Sequence, residues 1–314
     1  MIEAIKNLWE TTGLFQFEST ELMIKTLIMY VIVGVLVYLA VVKGFEPLLL
    51  LPIATGMLLA NLPGANLFHM EWFVDGVPVM RDGIEVMSTK LSDVVSYAVG
   101  NGGLLDILYL GVKLGIYPSL IFLGVGAMTD FSPLISNPKS IFLGGAAQLG
   151  VFMAFFGALL FGFSPQVASA IGIIGGADGP TAILVTKILA PEYLGPIAIA
   201  AYSYMALIPM IQPPIMKLMT TKKERSVVMT TLRPVSKKEL VIFPIMVIIV
   251  VCLMLPDAAP LVGFLMFGNL LNVSGVTDRL SKTAQNELIN IVTIFLGISV
   301  GATASAKTFL DGKT

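Results

Sequence analysis

Residues 22–42 form a run of about 20 nearly unbroken apolar side chains, long enough to cross a bilayer as one helix. The pattern returns at 140–163 and 240–255, and in shorter or interrupted pieces at 48–62, 104–128, 197–211, 261–271 and 288–300. A chain that is 56% hydrophobic and 12% charged, with a mean hydropathy of +0.90, belongs to the multi-span membrane class. In lipid, backbone polar groups must be satisfied within each segment, so the expected fold is all-α and polytopic, with about 8–10 transmembrane or half-membrane helices. The net charge of -1 argues against a nucleic-acid partner. With one cysteine (Cys252) and one histidine (His69), neither a disulfide framework nor clustered zinc chemistry is available, and both residues read as incidental. The N-terminal 25 residues carry acids and no compact basic region, unlike a cleaved signal peptide.

A single membrane domain is expected over 1–314. It opens with N-terminal spans at 22–62, the second interrupted by Pro52 and Gly56. A polar segment at 63–103 follows, with Glu71, Asp75, Asp82, Glu85 and Asp93 against Arg81 and Lys90. It reads as a partly helical extramembrane loop on the outer side. The first core half covers 104–216 and holds Asp106 and Lys113 on one helix face, before a break at Tyr117-Pro118. Between 217 and 239 lie seven basic residues (Lys217, Lys222, Lys223, Arg225, Arg233, Lys237, Lys238) against Glu224 and Glu239, the mark of a loop retained in the cytoplasm. The second core half is 240–314.

At 171–186 the sequence reads IGIIGGADGPTAILVT, placing the acid Asp178 between Gly175-Gly176 and Gly179-Pro180, where a helix cannot stay regular. Each half contains two Gly-rich breaks: 124–130 and 175–180, then 268–275 and 297–303. Paired breaks of this kind point to two pseudo-repeats whose discontinuous helices meet near the midplane. Broken helix ends leave carbonyls, Gly176 among them, and with Asp178, Thr181, Ser203, Tyr204, Asn269, Asn290 and Ser299 they compose an all-oxygen donor set suited to sodium. An intramembrane acid is functional by default. A buried carboxylate that gives up its cation is expected to take a proton in exchange.

Plainer readings stand beside these. Gly144-Gly145 and Gly297 equally fit close helix packing. Tyr202 and Tyr204 equally fit an interfacial belt, and Asp106 could pair with Lys113. Gly124-Val-Gly126 lacks the third glycine of a nucleotide fingerprint, and no phosphate-loop lysine follows. The Asn272-Val-Ser274 sequon is a frequent chance match.

The runs GIIGGADGPTAI (172–183), GVGAMTDFSPL (124–134), AAYSYMALIPMIQPPIMK (200–217), LPDAAPL (255–261) and NIVTIFLGISVGA (290–302), with FEPLLLLP (45–52), closely resemble the membrane-embedded beta subunit of the biotin-dependent sodium-pumping decarboxylases. Those complexes act on oxaloacetate, methylmalonyl-CoA or glutaconyl-CoA. The resemblance implies a multi-pass protein of the bacterial cytoplasmic (inner) membrane. It implies a carboxyltransferase (alpha) subunit, a biotin carrier protein, a small gamma or delta membrane subunit, and a homo-oligomer within the complex. Carboxybiotin would arrive on the carrier, be decarboxylated, and drive sodium outward. The acyl substrate would be chosen by another subunit.

By the same resemblance, sodium binding or coupling falls on Asp178, Tyr204, Asn290 and Ser299. Asp178 is expected to exchange sodium for the proton consumed in decarboxylation, with Tyr204 as relay. Lys113 is expected to meet the carboxylate of carboxybiotin. The family's beta subunits continue with apolar sequence beyond the position of Thr314, so the chain is expected to be a shortened representative with an incompletely walled second half. A stand-alone sodium-coupled transporter or sodium/proton exchanger would show the same breaks and the same acid. A purely structural anchor would tolerate loss of Asp178.

Overall fold

The computed structural model describes residues 12–13, 17, 19–81, 84–228 and 232–310. Expectations resting on residues 1–11, on Asp82 and on 311–314 lie outside the described residues. In chain order the helices are α1 (Thr20–Val41), α2 (Pro47–Ala60), α3 (Met70–Val74), α4 (Leu91–Asn101), α5 (Leu104–Lys113), α6 (Ile116–Met128), α7 (Ser132–Ser136), α8 (Ile141–Leu160) and α9 (Pro165–Gly172). Then come α10 (Gly179–Leu189), α11 (Leu194–Met219), α12 (Lys222–Arg225), α13 (Lys237–Met254), α14 (Ala259–Val273), α15 (Asp278–Thr283), α16 (Ile289–Ala302) and α17 (Ala306–Phe309). Among the described residues, Thr20–Val41, Pro138–Leu160 and Asp278–Ala302 are each long and apolar enough to cross a bilayer, and up to five spans result if two broken pairs each count as one. On α8, Phe142 is 75% and Leu160 89% exposed. Such surface is at home against lipid.

Where apolar helices meet in lipid, the hydrophobic effect contributes little, and close backbone packing takes its place. One compact unit comprises Met1–Ile116, Ile183–Tyr202 and Thr293–Thr314. In it α1 packs along α2, burying Met29, Val33 and Leu36 on one helix and Leu50, Ile53 and Met57 on the other. Gly56 of α2 touches α16 so closely that a Cβ there would lie 2.0 Å from the Ile298 carbonyl oxygen. The reverse holds at Gly301, 2.0 Å from the Ile53 oxygen, and Gly297 meets the Pro52 ring. These glycines are contact points, so Gly56 does not interrupt α2, which runs on through Pro52. Asn61 closes the unit with three bonds: its amide nitrogen donates to Met57 O and Ala304 O, both at 2.8 Å, and its oxygen accepts from Ala306 N at 2.7 Å.

The second unit comprises Tyr117–Ala182 and Ser203–Val292. Here α6 and α14 cross on reciprocal glycines: a Cβ on Gly126 would lie 1.8 Å from Leu265 O, and one on Gly268 would lie 1.9 Å from Leu123 O. The Gly-rich stretches that end these two helices therefore pack on each other. By contrast, a Cβ on Gly144 or Gly145 of α8 would meet nothing within 4 Å, so among the described residues they are not a packing device.

Two local expectations are corrected and a third, the partly helical segment 63–103 with its helices α3 and α4, gains a hairpin. The break after α5 falls at Gly115, not at Tyr117-Pro118, because Gly115 supplies the left-handed backbone (φ +79). Pro118 then sits in the first turn of α6, where its missing N–H costs nothing. Within 63–103 the chain forms an antiparallel hairpin, β1 (Val77–Arg81) with β2 (Ile84–Ser88), in the register Val77↔Ser88 to Arg81↔Ile84. Two β-prone runs separated by two residues, Asp-Gly in the sequence, are the signal for it. Finally, α11 continues past Gln212-Pro213-Pro214, which were expected to close it, and bends earlier, by 59° between Met205 and Met210. In lipid a helix remains the only internal solution for the flanking backbone.

Candidate functional site

The stretch around Asp178 is a helix break with a defined geometry. α9 ends at Gly172, a 3-10 turn carries Ile173–Gly176, and Ala177 takes the left-handed conformation (φ 54). Gly172 and Gly175 let this turn lie against α8: a Cβ on Gly172 would stand 3.0 Å from Val151 O, and one on Gly175 would stand 3.3 Å from the Gly150 carbonyl carbon. Chain direction is then reset, and α10 begins at Gly179 with Pro180 in its first turn.

Asp178 stands immediately before α10 in the capping position. Its Oδ2 accepts the Thr181 hydroxyl at 2.6 Å, its Oδ1 the Thr181 N–H at 3.4 Å, and its carbonyl the Ala182 N–H at 3.0 Å. The acid thus meets the positive end of one helix, while the 3-10 turn before it presents the carbonyl end of another. The residue is half-buried. A carboxylate offers about four acceptor positions, and Thr181 takes two, which leaves capacity for a cation. Carboxylate, hydroxyl and carbonyl oxygens fit a hard ion such as sodium. Among the described residues no three of His, Cys, Asp and Glu come together to hold a metal.

The other predicted residues are distributed as follows. Gly176 closes the 3-10 turn two residues before Asp178 and is exposed. Asn269, 1% exposed, donates its amide to Thr129 O at 2.8 Å and Gly126 O at 3.4 Å, satisfying carbonyls at the end of α6. Tyr204 is 38% exposed on α11. Asn290 is exposed on α16, directly after a π-helical turn at Ala284–Leu288. All of these belong to the second unit with Asp178 and Thr181. Ser299 and Lys113 belong to the first. The fully buried Ser299 hydroxyl donates back to Phe295 O at 2.7 Å. Lys113 donates to Phe73 O at 2.7 Å, and Asp106 pairs with His69, so the Asp106–Lys113 pair does not form.

Two features escaped the sequence reading. Lys187 on α10 donates to Val112 O at 3.2 Å and Lys113 O at 3.3 Å, capping the broken end of α5. A lysine eight residues beyond the GGADG run carries no motif that would announce this. Thr186, fully buried, has a hydroxyl with no hydrogen-bond partner among the described residues.

The model of the Na+-transporting oxaloacetate decarboxylase beta subunit matches residues 25–314. The methylmalonyl-CoA decarboxylase subunit beta of Propionigenium modestum is 52% identical over 315 residues, covering 100% of this chain and 77% of that protein. The glutaconyl-CoA decarboxylase subunit beta of Acidaminococcus fermentans is 50% identical over 91% of this chain and 68% of its own length. For the oxaloacetate decarboxylase beta chain of Haemophilus ducreyi the identity is 48%, over 91% of this chain and 73% of that one.

Proposed function

The chain belongs to the family of beta subunits of the Na+-transporting decarboxylases, and from that premise we propose that it decarboxylates carboxybiotin delivered by a biotin carrier protein and couples this step to sodium export. The observation that carries the reading is the half-buried carboxylate at the break between α9 and α10, hydrogen-bonded to Thr181 and flanked by helix ends of opposite polarity. Asp178 and Thr181 hold the ion with the Gly176 carbonyl, and Asn269 and Asn290 complete the set. Tyr204 relays the proton. Lys113 meets the carboxylate of the substrate.

The chemistry is balanced by one proton: an N-carboxylate plus H+ gives N–H and CO2. Moving one positive charge outward costs about 2.3 kcal/mol per 100 mV, so sodium must leave its site when the proton is consumed. Exchange of the two cations at Asp178 meets that requirement. A carboxyltransferase (alpha) subunit and a small gamma or delta membrane subunit complete the assembly, which contains more than one copy of this chain. It resides in the bacterial inner membrane, with 217–239 in the cytoplasm and 63–103 outside. The two core halves, 104–216 and 240–314, are pseudo-repeats with discontinuous helices.

The test is sodium-dependent decarboxylation of carrier-bound carboxybiotin in proteoliposomes. Asp178→Asn is expected to lose both the sodium dependence and sodium uptake, and an Asp178→Asn protein that kept them would sink the proposal. Full activity in Lys113→Met would remove the role given to Lys113.

A further inference from the structure

His69 is the chain's one histidine, and its ring is held in a single orientation by a carboxylate that is 0% exposed. Asp106 Oδ1 accepts the His69 backbone N–H at 2.8 Å, and Oδ2 accepts Gly103 N–H at 2.9 Å and meets His69 Nδ1 at 2.8 Å. An ionised carboxylate only accepts, so Nδ1 carries the hydrogen and the neutral ring keeps its lone pair on Nε2. Trp72 stacks on the imidazole with centroids 4.1 Å apart and planes 9° apart. Nε2 makes no hydrogen bond among the described residues.

The ring lines a cavity of about 620 Å³, which is room for many waters. Glu71 and Asp75 face this cavity from α3 and its end, Glu192 from the turn before α11, and Lys307 from α17. Behind the ring stands Asp106 on α5, and Lys113 is turned to Phe73 O. Three carboxylates around one polar cavity enrich cations there, the hydrated proton included. The two backbone N–H groups would staple this loop to α5 without any imidazole. What the side chain adds is a basic nitrogen in a fixed tautomer, open to water.

We propose that His69 is a proton-transfer residue, loading from water in this cavity the proton that decarboxylation consumes, with Asp106 as its positioning residue. The inference rests on the decarboxylase reading above. In the step, H3O+ gives its proton to Nε2 and leaves as water; the imidazolium then gives up that proton and returns to the neutral form, and the proton ends on the nitrogen of the N-carboxylate as its N–C bond breaks and CO2 leaves. One proton is delivered for each CO2 formed, and no other reactant is needed.

The test uses the complete complex in proteoliposomes and follows rate against pH. Gln at position 69 can still donate to Asp106 but has no basic nitrogen. His69→Gln is expected to lower the rate about 10²-fold, in the range of general acid–base catalysis, to lose the pH dependence that wild type shows, and to leave the KM for sodium unchanged. In His69→Ala, free imidazole added to the medium is expected to restore activity several-fold. Asp106→Asn, whose amide can donate to Nδ1 and select the other tautomer at the expense of the bond from Gly103 N–H, is expected to alter the pH profile. A wild-type pH profile in both His69→Gln and Asp106→Asn, or an assembled His69→Ala that imidazole does not rescue, overturns the proposal. Absence of sodium-dependent decarboxylation in the wild type would instead overturn the decarboxylase reading, so the two failures are told apart.

Discussion

Thr181 donates its hydroxyl to one oxygen of the Asp178 carboxylate at 2.6 Å and its N–H to the other at 3.4 Å, so one residue fixes both oxygens of the proposed ion site. The N–H bond survives any substitution but proline, whereas the hydroxyl bond needs Ser or Thr. Thr181→Ser is therefore expected to keep wild-type sodium affinity. Thr181→Val, which keeps the shape and removes the donor, is expected to raise the KM for sodium roughly tenfold, the equivalent of a lost bond to a charged group. Initial rates against sodium concentration check this, and equal KM values for the two variants would remove the hydroxyl from the site.

The broken end of α5 is held by Gly115, at φ +79, and by Lys187, which donates to the Val112 and Lys113 carbonyls. Gly115→Ala forces a side chain into the left-handed region, at a cost of about 1–2 kcal/mol. It also brings a Cβ to 2.9 Å from Lys187 Nζ. Lys187→Met removes the ammonium's bonds to both carbonyls, leaving Val112 O with the Gly115 N–H, and is expected to cost about 1–3 kcal/mol. The double variant should fall short of the sum, because removing the ammonium relieves the contact made by the new methyl. Unfolding of the four proteins in detergent measures the cycle, and strict additivity would show that the two residues act independently.

Glycines separate into two classes by what surrounds them. Gly56→Ala and Gly301→Ala would each drive a Cβ to 2.0 Å from a backbone oxygen, of Ile298 and Ile53 respectively, and backbone cannot swing aside. Either change is expected to destabilise the protein by about 1–3 kcal/mol or more. Gly144→Ala and Gly145→Ala meet nothing within 4 Å and are expected to be neutral or to stabilise α8 by about 0.5–1 kcal/mol. Melting temperatures in one detergent compare all four, and equal losses in the two classes would contradict the close approach of α2 and α16.

Much of this was legible from residues alone, and what was not has identifiable causes. Apolar runs locate α1 and α8 to within a few residues, because lipid admits one backbone solution for such segments. The break at Asp178 is written in Gly175-Gly176 and Gly179-Pro180. Its capping bond to Thr181 is also readable, since Asp three residues ahead of a donor is an N-cap pattern. Asp106 was misassigned because Lys113 is near in sequence and on the same face, whereas the partner chosen, His69, lies 37 residues earlier and comes through a loop. Likewise no local pattern shows whether a helical glycine touches a neighbour, so Gly297 and Gly144 read alike in sequence and differ in space. Side-chain caps supplied from afar, such as Lys187 on α5, leave no periodic signal at all.

The loop 217–239 contains two short sequences of one design, Thr221-Lys-Lys-Glu224 and Ser236-Lys-Lys-Glu239, and each closes a reciprocal capping box at the start of α12 or α13. Glu239 also receives Arg233 at 2.9 Å. The Arg233 bond first, then the Ser236 N–H and hydroxyl, hold the Glu239 carboxyl down at about 2. A carboxyl whose folded value lies below its ordinary value of 4.5 contributes stability that is full above that ordinary value. The contribution is lost as the pH falls from there through about 2. The start of α13 is therefore expected to keep its hydrogen-exchange protection, corrected for intrinsic rates, from neutral pH down to the ordinary carboxylate range, and to lose it below. In Glu239→Gln the side chain carries no titratable group, so protection at neutral pH should begin lower and stay level across the same window. A pH-dependent loss that persisted unchanged in Glu239→Gln would assign the effect to another group and leave this cap without a role in anchoring α13.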